Sequence, residues 1–120
     1  MLRETLDFLN DIGDSCNRIV EYSQGLGRDE VFNDKMRFDG ILHNFHVIGE
    51  AVKRLPDEFR EAHPDIPWKD IAGMRDIIAH AYFALDLDIL WVGITQDIPL
   101  LLERVGDLIA EHETSRDRRS

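Results

Sequence analysis

The chain has 120 residues, of which 43% are hydrophobic and 32% charged, and its formal net charge is -10. This length fits one domain with a real core, and no apolar run comes near the ~20 residues that a membrane span needs. The acidic excess argues against a broad electrostatic grip on nucleic acid, because nonspecific affinity comes from Lys and Arg displacing counterions from phosphates. Any contact with RNA must therefore be local.

Cysteine content and the first residues bear on the compartment. Cys16 is the single cysteine, so no internal disulfide is possible. The start "MLRETLDFLNDIGDS" is interrupted by charges, unlike the apolar core of a signal peptide. We therefore predict a soluble, cytoplasmic protein. No cofactor is predicted, because "GLG" at Gly25 to Gly27 lacks the strand-loop-helix context of a phosphate-binding loop.

Two amphipathic helices are predicted in the first half of the chain. Apolar residues recur with a 3.6-residue period from Leu2 to Tyr22. The helix is expected to stop at "QGLG", where Gly25 and Gly27 supply the positive φ angles that a helix C-terminus often uses. A second periodic run extends from Phe38 to Leu55 and is closed by Pro56. We expect these two helices to pack antiparallel. The stretch from Pro56 to Trp68 contains three prolines and suits at most one short helical turn.

Further helices are predicted in the second half. A third helix is expected from Lys69 or Asp70, burying Ile71, Met74, Ile77, Ile78 and part of Tyr82. Asp86 or Asp88 can cap a fourth. Pro99 then requires either a kink or a new helix with Asp97 as its cap.

Taken together, these patterns predict an all-α, up-and-down bundle of four to five helices. No segment alternates with period two for long enough to suggest a strand. We place a single domain at residues 1–113 and a charged, flexible tail at 114–120, where three arginines stand beside one aspartate.

One candidate metal site lies in the second helix. His43, His46 and Glu50 are spaced i, i+3 and i+7, and all three can be ligands. The same stripe borders the apolar face of that helix, where histidines often serve as boundary residues. Because no matching Glu/His pair stands elsewhere to complete the coordination, the boundary role is favoured.

The stretch "RDIIAHAYF" is the strongest candidate for chemistry, since it places Arg75, Asp76, His80 and Tyr82 among apolar residues. A histidine can give and take protons near neutral pH, and an arginine can fork onto phosphate oxygens. A ribose 2'-hydroxyl activated by such a base could attack the adjacent phosphate of RNA without a metal and leave a cyclic phosphate.

Helical geometry limits this hypothesis. On an ideal helix Asp76 and His80 are about 40° apart, whereas Arg75 and His80 differ by about 140°. A distorted helix start, a wrapped arginine, or two copies of the helix facing each other across a dimer would bring them together. Spacing alone favours a simpler interpretation, in which Asp76 and His80 form a surface pair and Arg75 braces a neighbouring helix.

The chain resembles the HepT toxins of the HEPN superfamily over nearly its whole length. The R-x4-H-x-Y signature is matched by Arg75, His80 and Tyr82, with Asp76 after the arginine. The flanking segments "IGEAVKRLP", "HPDIPWKDIAGMRD" and "FALDLDILW" agree in order. The signature together with its flanks makes the resemblance specific.

The resemblance implies a metal-independent endoribonuclease that works as a homodimer, with Arg75 and His80 of both subunits at the interface. By analogy His80 transfers protons, Arg75 holds the phosphate and Asp76 orients one of them. The implied partner is an MntA-like nucleotidyltransferase antitoxin that adenylylates Tyr82, blocking RNA by its bulk and negative charge.

Two other hypotheses stay open. The chain could be a non-catalytic helical dimer that binds a nucleotidyltransferase or a nucleotide, since an acidic body suits a partner with a basic surface. A metalloprotein built on His43, His46 and Glu50 is the third hypothesis.

Overall fold

A computed structural model of the chain describes residues 4–80 and 85–119, without the side chains of residues 79, 80 and 115–119. Every regular element in this part is helical, so the predicted all-α class is confirmed. The helices are α1 (Thr5–Ser23), α2 (Arg28–Asn33), α3 (Lys35–Arg54), α4 (Asp57–Ala62), α5 (Trp68–His80), α6 (Leu87–Val92) and α7 (Ile98–Arg119), with a π-helical turn at Gly93–Asp97 between the last two.

The two predicted helices of the first half are present as α1 and α3. The backbone N–H of Glu4 donates to the Asp7 carboxylate and so caps the N-terminus of α1. Gly25 takes a φ of 75° just beyond the C-terminal end of this helix. The Asp34 carboxylate accepts from the Arg37 N–H and caps α3, which stops before Pro56. Gly27 caps α2 in extended conformation and does not supply the positive φ that we expected of it.

The core is built around α1 and α3. These two helices pack most extensively on each other, while α5 packs on α3 and α7 packs on α1. Burial raises the pKa of the Cys16 thiol to about 12, as expected for a small core residue rather than a reactive one. The buried apolar side chains of the central pair are Leu9, Ile12, Cys16, Ile19, Ile41, Leu42, Phe45, Ile48, Ala51 and Val52.

The connection from α4 to α5 is held at both ends. The Trp68 indole is buried and its Nε1 donates to the His63 carbonyl at 3.0 Å. The Asp65 carboxylate accepts from Nε of Arg104 on α7 at 2.7 Å. Since α5 begins at Trp68, these contacts anchor the start of the helix that carries Arg75.

The second half differs from the prediction in its continuity. Asp86 caps α6 by accepting from the N–H groups of Asp88 and Ile89, as expected. The helix does not restart at Asp97, however, because the π-helical turn leads directly into α7 and Pro99 lies within its first turn. The α7 backbone runs to Arg119. The domain boundary at residue 113 and the flexible tail after it stay predictions.

Two other details differ from the sequence pattern. The short helix α2 was not predicted, and its Phe32 packs edge-on against Trp91 of α6 with ring centroids 5.8 Å apart. Ile77 was expected in the core, but 47% of its surface is exposed. Ile78 is buried as predicted, whereas Tyr82 falls outside the described residues.

No helix within the described ranges is both long and apolar enough to cross a membrane.

Candidate active site

Arg75 lies at a close approach of α5 to α3. A Cβ built on Gly49 of α3 would stand 2.4 Å from the Arg75 Cβ and 3.0 Å from its Cγ. Only a hydrogen atom fits at that position. The absence of a side chain at Gly49 therefore allows α5 to lie against α3 with Arg75 at the contact.

Two carboxylates flank the Arg75 guanidinium. The Glu50 Oε1 lies 2.9 Å from Nε, and the Asp76 Oδ1 accepts a hydrogen bond from Nη1 at 3.0 Å. Nε is shielded from solvent and its N–H does not point at Glu50 closely enough for a hydrogen bond, so this contact is an ion pair. With 26% of its side chain exposed, Arg75 is held in place yet still reaches solvent.

Lys53 completes the cluster from the next turn of α3. Its Nζ donates to the same Asp76 Oδ1 at 3.0 Å, so one carboxylate oxygen accepts from two cations. The hydrogen bonds from Lys53 and Arg75 lower the pKa of the Asp76 carboxyl from its ordinary value of 3.8. Asp76 is therefore ionised at neutral pH. The four side chains, which we call the α3–α5 cluster, are Glu50, Lys53, Arg75 and Asp76, and their formal charges cancel.

The other two residues of the predicted site are described only in part. The backbone of His80 forms the last residue of α5, five positions after Arg75, and its side chain is outside the described part. Tyr82 is outside it altogether. The structure thus brings Arg75 and Asp76 together, and the roles of His80 and Tyr82 stay predictions.

The predicted histidine and glutamate stripe on α3 does not converge. His43 and His46 are exposed, and Glu50 faces Arg75. Among the side chains that the structure describes, no three from His, Cys, Asp or Glu lie close enough together to hold a metal ion. The described contacts give Glu50 a cationic side chain as its partner.

Sequence reasoning did not single out Gly49 and Lys53. Both lie in "IGEAVKRLP", one of the flanks that carried the family resemblance, and Glu50 and Lys53 are spaced i, i+3 on one face of α3. This acid and base on one helical face could have suggested an ion-pair partner for the Arg75-Asp76 pair. The sequence could not show that α5 covers that face.

A groove of about 490 Å³ opens on the other side of α5. Its opposite wall is formed by α6, the π-helical turn and α7, which together we call the α6–α7 arm. Its walls are mostly apolar and include Phe45, Met74 and Gly93. Ile77, Ile89 and Leu100 line it with 47%, 51% and 64% of their surfaces exposed. One apolar face of the helix that carries Arg75 is therefore open to solvent.

Comparisons with known proteins agree on one family. A family model described as "Ribonuclease HepT-like" matches residues 12–108. The chain is 37% identical over 101 residues to the "Probable ribonuclease HepT" of Thermococcus cleftensis, a match that covers 84% of this chain and 92% of that protein. A protein of Caldanaerobacter subterraneus named "Putative RNase" is 36% identical over 106 residues, covering 88% and 95% of the two chains.

A longer relative also matches. The protein of Methanocaldococcus jannaschii named "Gamma-glutamylcyclotransferase and putative RNase" is 36% identical over 119 residues, and this chain spans 54% of its length. No solved structure gave a significant match. Since the family model covers residues 12–108 of 120, and relatives more than 30% identical are matched along nearly their whole length, the chain belongs to the HepT-like ribonuclease family.

Proposed function

We propose that the chain is a metal-independent endoribonuclease and the toxin of a toxin-antitoxin pair. The observation that carries this proposal is the immobilised Arg75: an always-charged side chain, fixed by two carboxylates, five residues before His80 on one helix. Family membership supports the same chemistry, because relatives along nearly the full length of this chain are named as ribonucleases.

In the proposed reaction His80 accepts the proton of the ribose 2'-hydroxyl, and that oxygen attacks the adjacent phosphorus. The bond from phosphorus to the 5'-oxygen breaks, which leaves a 2',3'-cyclic phosphate and a 5'-hydroxyl that takes up a proton. Arg75 neutralises the charge that grows on the phosphate oxygens. Asp76 orients Arg75 through the 3.0 Å hydrogen bond to Nη1.

We propose that the active form is a homodimer. Helical spacing separates Arg75 from His80 by about 140°, so one α5 helix makes a poor pocket and a second copy would supply the opposite wall. The groove lined by Ile77, Ile89 and Leu100 supports this proposal, because these apolar side chains beside α5 are exposed in the part of the chain that the structure describes.

Regulation is proposed to act at Tyr82. An MntA-like nucleotidyltransferase partner would attach an adenylyl group to its hydroxyl and block RNA by bulk and like charge. A cytoplasmic location, where RNA and such a partner are both present, is part of the same proposal.

The test compares RNA cleavage by the purified chain with that of Arg75→Ala and His80→Ala. We expect each variant to lose at least ~10²-fold in rate and the parent to keep its activity in EDTA. Matched controls are Arg18→Ala and His43→Ala, which remove the same residue types from exposed positions. Undiminished cleavage by a folded Arg75→Ala or His80→Ala variant would overturn the catalytic assignment.

A second candidate function is a non-catalytic helical dimer that binds a nucleotidyltransferase. The neutral charge sum of the α3–α5 cluster favours it, since Glu50 and Asp76 already compensate the two cations that would meet a phosphate. Purified protein that is inert toward RNA, yet forms a stable complex with a coexpressed nucleotidyltransferase, would select this function. Intact mass of the coexpressed chain and of Tyr82→Phe then reports any adenylyl group.

A further inference from the structure

Arg75 is restrained by α3 in a way that the family signature does not contain. The signature residues all lie between Arg75 and Tyr82, whereas Gly49 and Glu50, which meet the Arg75 side chain, lie on α3. Gly49 brings the two backbones together and Glu50 supplies a carboxylate at the Nε edge. The orientation of the guanidinium thus depends on a helix that carries none of the signature residues.

The two carboxylates act on different atoms of the guanidinium. Glu50 stands 2.9 Å from Nε and Asp76 3.0 Å from Nη1, and neither contact uses Nη2. A planar guanidinium that is hydrogen-bonded at Nη1 and ion-paired at Nε has less rotational freedom than one held at a single nitrogen. The third nitrogen then projects in a fixed direction, and 26% of the side chain stays exposed to a ligand.

Glu50 differs from Asp76 in its surroundings. Asp76 neighbours Arg75 in sequence and also accepts from Lys53, so its negative charge is shared between two cations. The described contact of Glu50 is with Arg75 alone. With 35% of the Glu50 side chain exposed, the pair is partly withdrawn from water and the attraction is screened less than at an open surface.

We propose that Glu50 is a positioning residue for Arg75, fixing the guanidinium so that Nη2 faces the scissile phosphate. The proposal deepens the ribonuclease function and rests on it for the identity of the ligand. Glu50 itself holds neither RNA nor a metal. A carboxylate next to a phosphate site weakens RNA binding by repulsion, so its value to the enzyme is in orientation.

Glu50→Gln tests this role because it keeps the shape of the side chain and removes its charge. We expect kcat for RNA cleavage to fall about tenfold or more while KM stays unchanged or decreases, since one repulsive charge is gone. In an Arg75→Lys background, where Nε is absent, Glu50→Gln should have little further effect. Glu111→Gln, at an exposed position of α7, is the matched control and should behave like the parent.

A second readout does not depend on activity. The Nε–Hε resonance of Arg75 in the NMR spectrum reports the order of the guanidinium, and we expect it to be rigid in the parent and mobile in Glu50→Gln. If Arg75 stays equally ordered in a folded Glu50→Gln variant, the positioning role is wrong whatever the activity. If no variant or parent cleaves RNA but the resonance loosens as expected, the ribonuclease function fails while the restraint by Glu50 stands.

Discussion

At Gly49 a single hydrogen atom determines how closely α3 and α5 approach. Glycine inside a helix costs roughly 0.5–1 kcal/mol relative to alanine, yet here a Cβ would meet the Arg75 Cβ at 2.4 Å. The Arg75 Cβ is fixed to the α5 backbone and cannot rotate away. We therefore expect Gly49→Ala to lower the free energy of unfolding by about 1–3 kcal/mol, measured by urea denaturation.

Gly106 of α7 provides the matched control. A Cβ there meets no atom within 4 Å, so Gly106→Ala should raise the free energy of unfolding by up to about 1 kcal/mol. The two glycine substitutions thus have opposite expected signs. Equal stabilisation by both would show that α5 does not press against Gly49.

At the residue scale, the candidate site could be predicted from the sequence, but the side chains that support it could not. Arg75 and Asp76 were singled out by their residue types and spacing. Glu50 was interpreted as a metal ligand or a boundary residue because spacing along α3 says which side chains share a face. Which helix covers that face is decided by tertiary packing, and it is Arg75 of α5 that meets Glu50.

Among the elements, the α6–α7 arm begins at a capped helix end and contains a π-helical turn. The Asp86 carboxylate accepts from the N–H groups of Asp88 and Ile89 at 3.0 and 3.3 Å. We expect Asp86→Ala to lower the free energy of unfolding by about 1 kcal/mol, because those donors lose their acceptor. Thermal or urea unfolding measures the change.

Asp97 gives the comparison for that prediction. A new helix capped by Asp97 was one of the two possibilities that Pro99 left open, the other being a kink. Asp97 instead lies at the end of the π-helical turn, and helix continues beyond it. Asp97→Ala should therefore leave stability within about 0.5 kcal/mol of the parent. A loss as large as that of Asp86→Ala would mean that the chain does start a separate helix at Asp97.

Helix existence was more predictable here than helix ends. The 3.6-residue period revealed α1, α3, α5 and the last arm, since each buries one apolar stripe. The π-helical turn has no comparable signal, because it follows from accommodating Pro99 while Ile94 and Leu101 both stay buried. Local preference for a cap at Asp97 gave way to that packing requirement.

On the scale of the whole molecule, the Asp65–Arg104 pair links the segment before α5 to α7. The hydrogen bond from Arg104 holds the pKa of the Asp65 carboxyl below its ordinary value of 3.8. A lowered carboxyl pKa contributes stability above the ordinary value, and that contribution is lost as the pH falls through the lowered one. We expect Asp65→Asn to decrease Tm at neutral pH and the difference from the parent to shrink below about pH 4.

Asp14→Asn is the control for this pH dependence. Asp14 is an exposed carboxylate on α1, so its replacement should change Tm little at either pH. If the effect of Asp65→Asn were constant from neutral pH to pH 3, the ion pair would not be its source.

The open face of the molecule was the hardest feature to predict. Periodicity placed Ile77 in the core because it follows the apolar stripe of α5, but α5 packs on α3 and leaves Ile77 on the side of the groove. A periodic pattern indicates which side chains form an apolar face. It does not indicate whether that face is buried by the same chain or by another one. The homodimer accordingly stays a prediction.

The π-helical turn at Gly93–Asp97 also has a consequence for comparing sequences. Each such turn accommodates about one residue more than an α-helix of the same rise, without rotating the helix that follows. A relative with one residue fewer in this interval can therefore keep its counterparts of Leu90 and Leu101 on the same buried faces. Alignments of this arm should accept a single-residue gap there, within a helix, where gaps are ordinarily penalised.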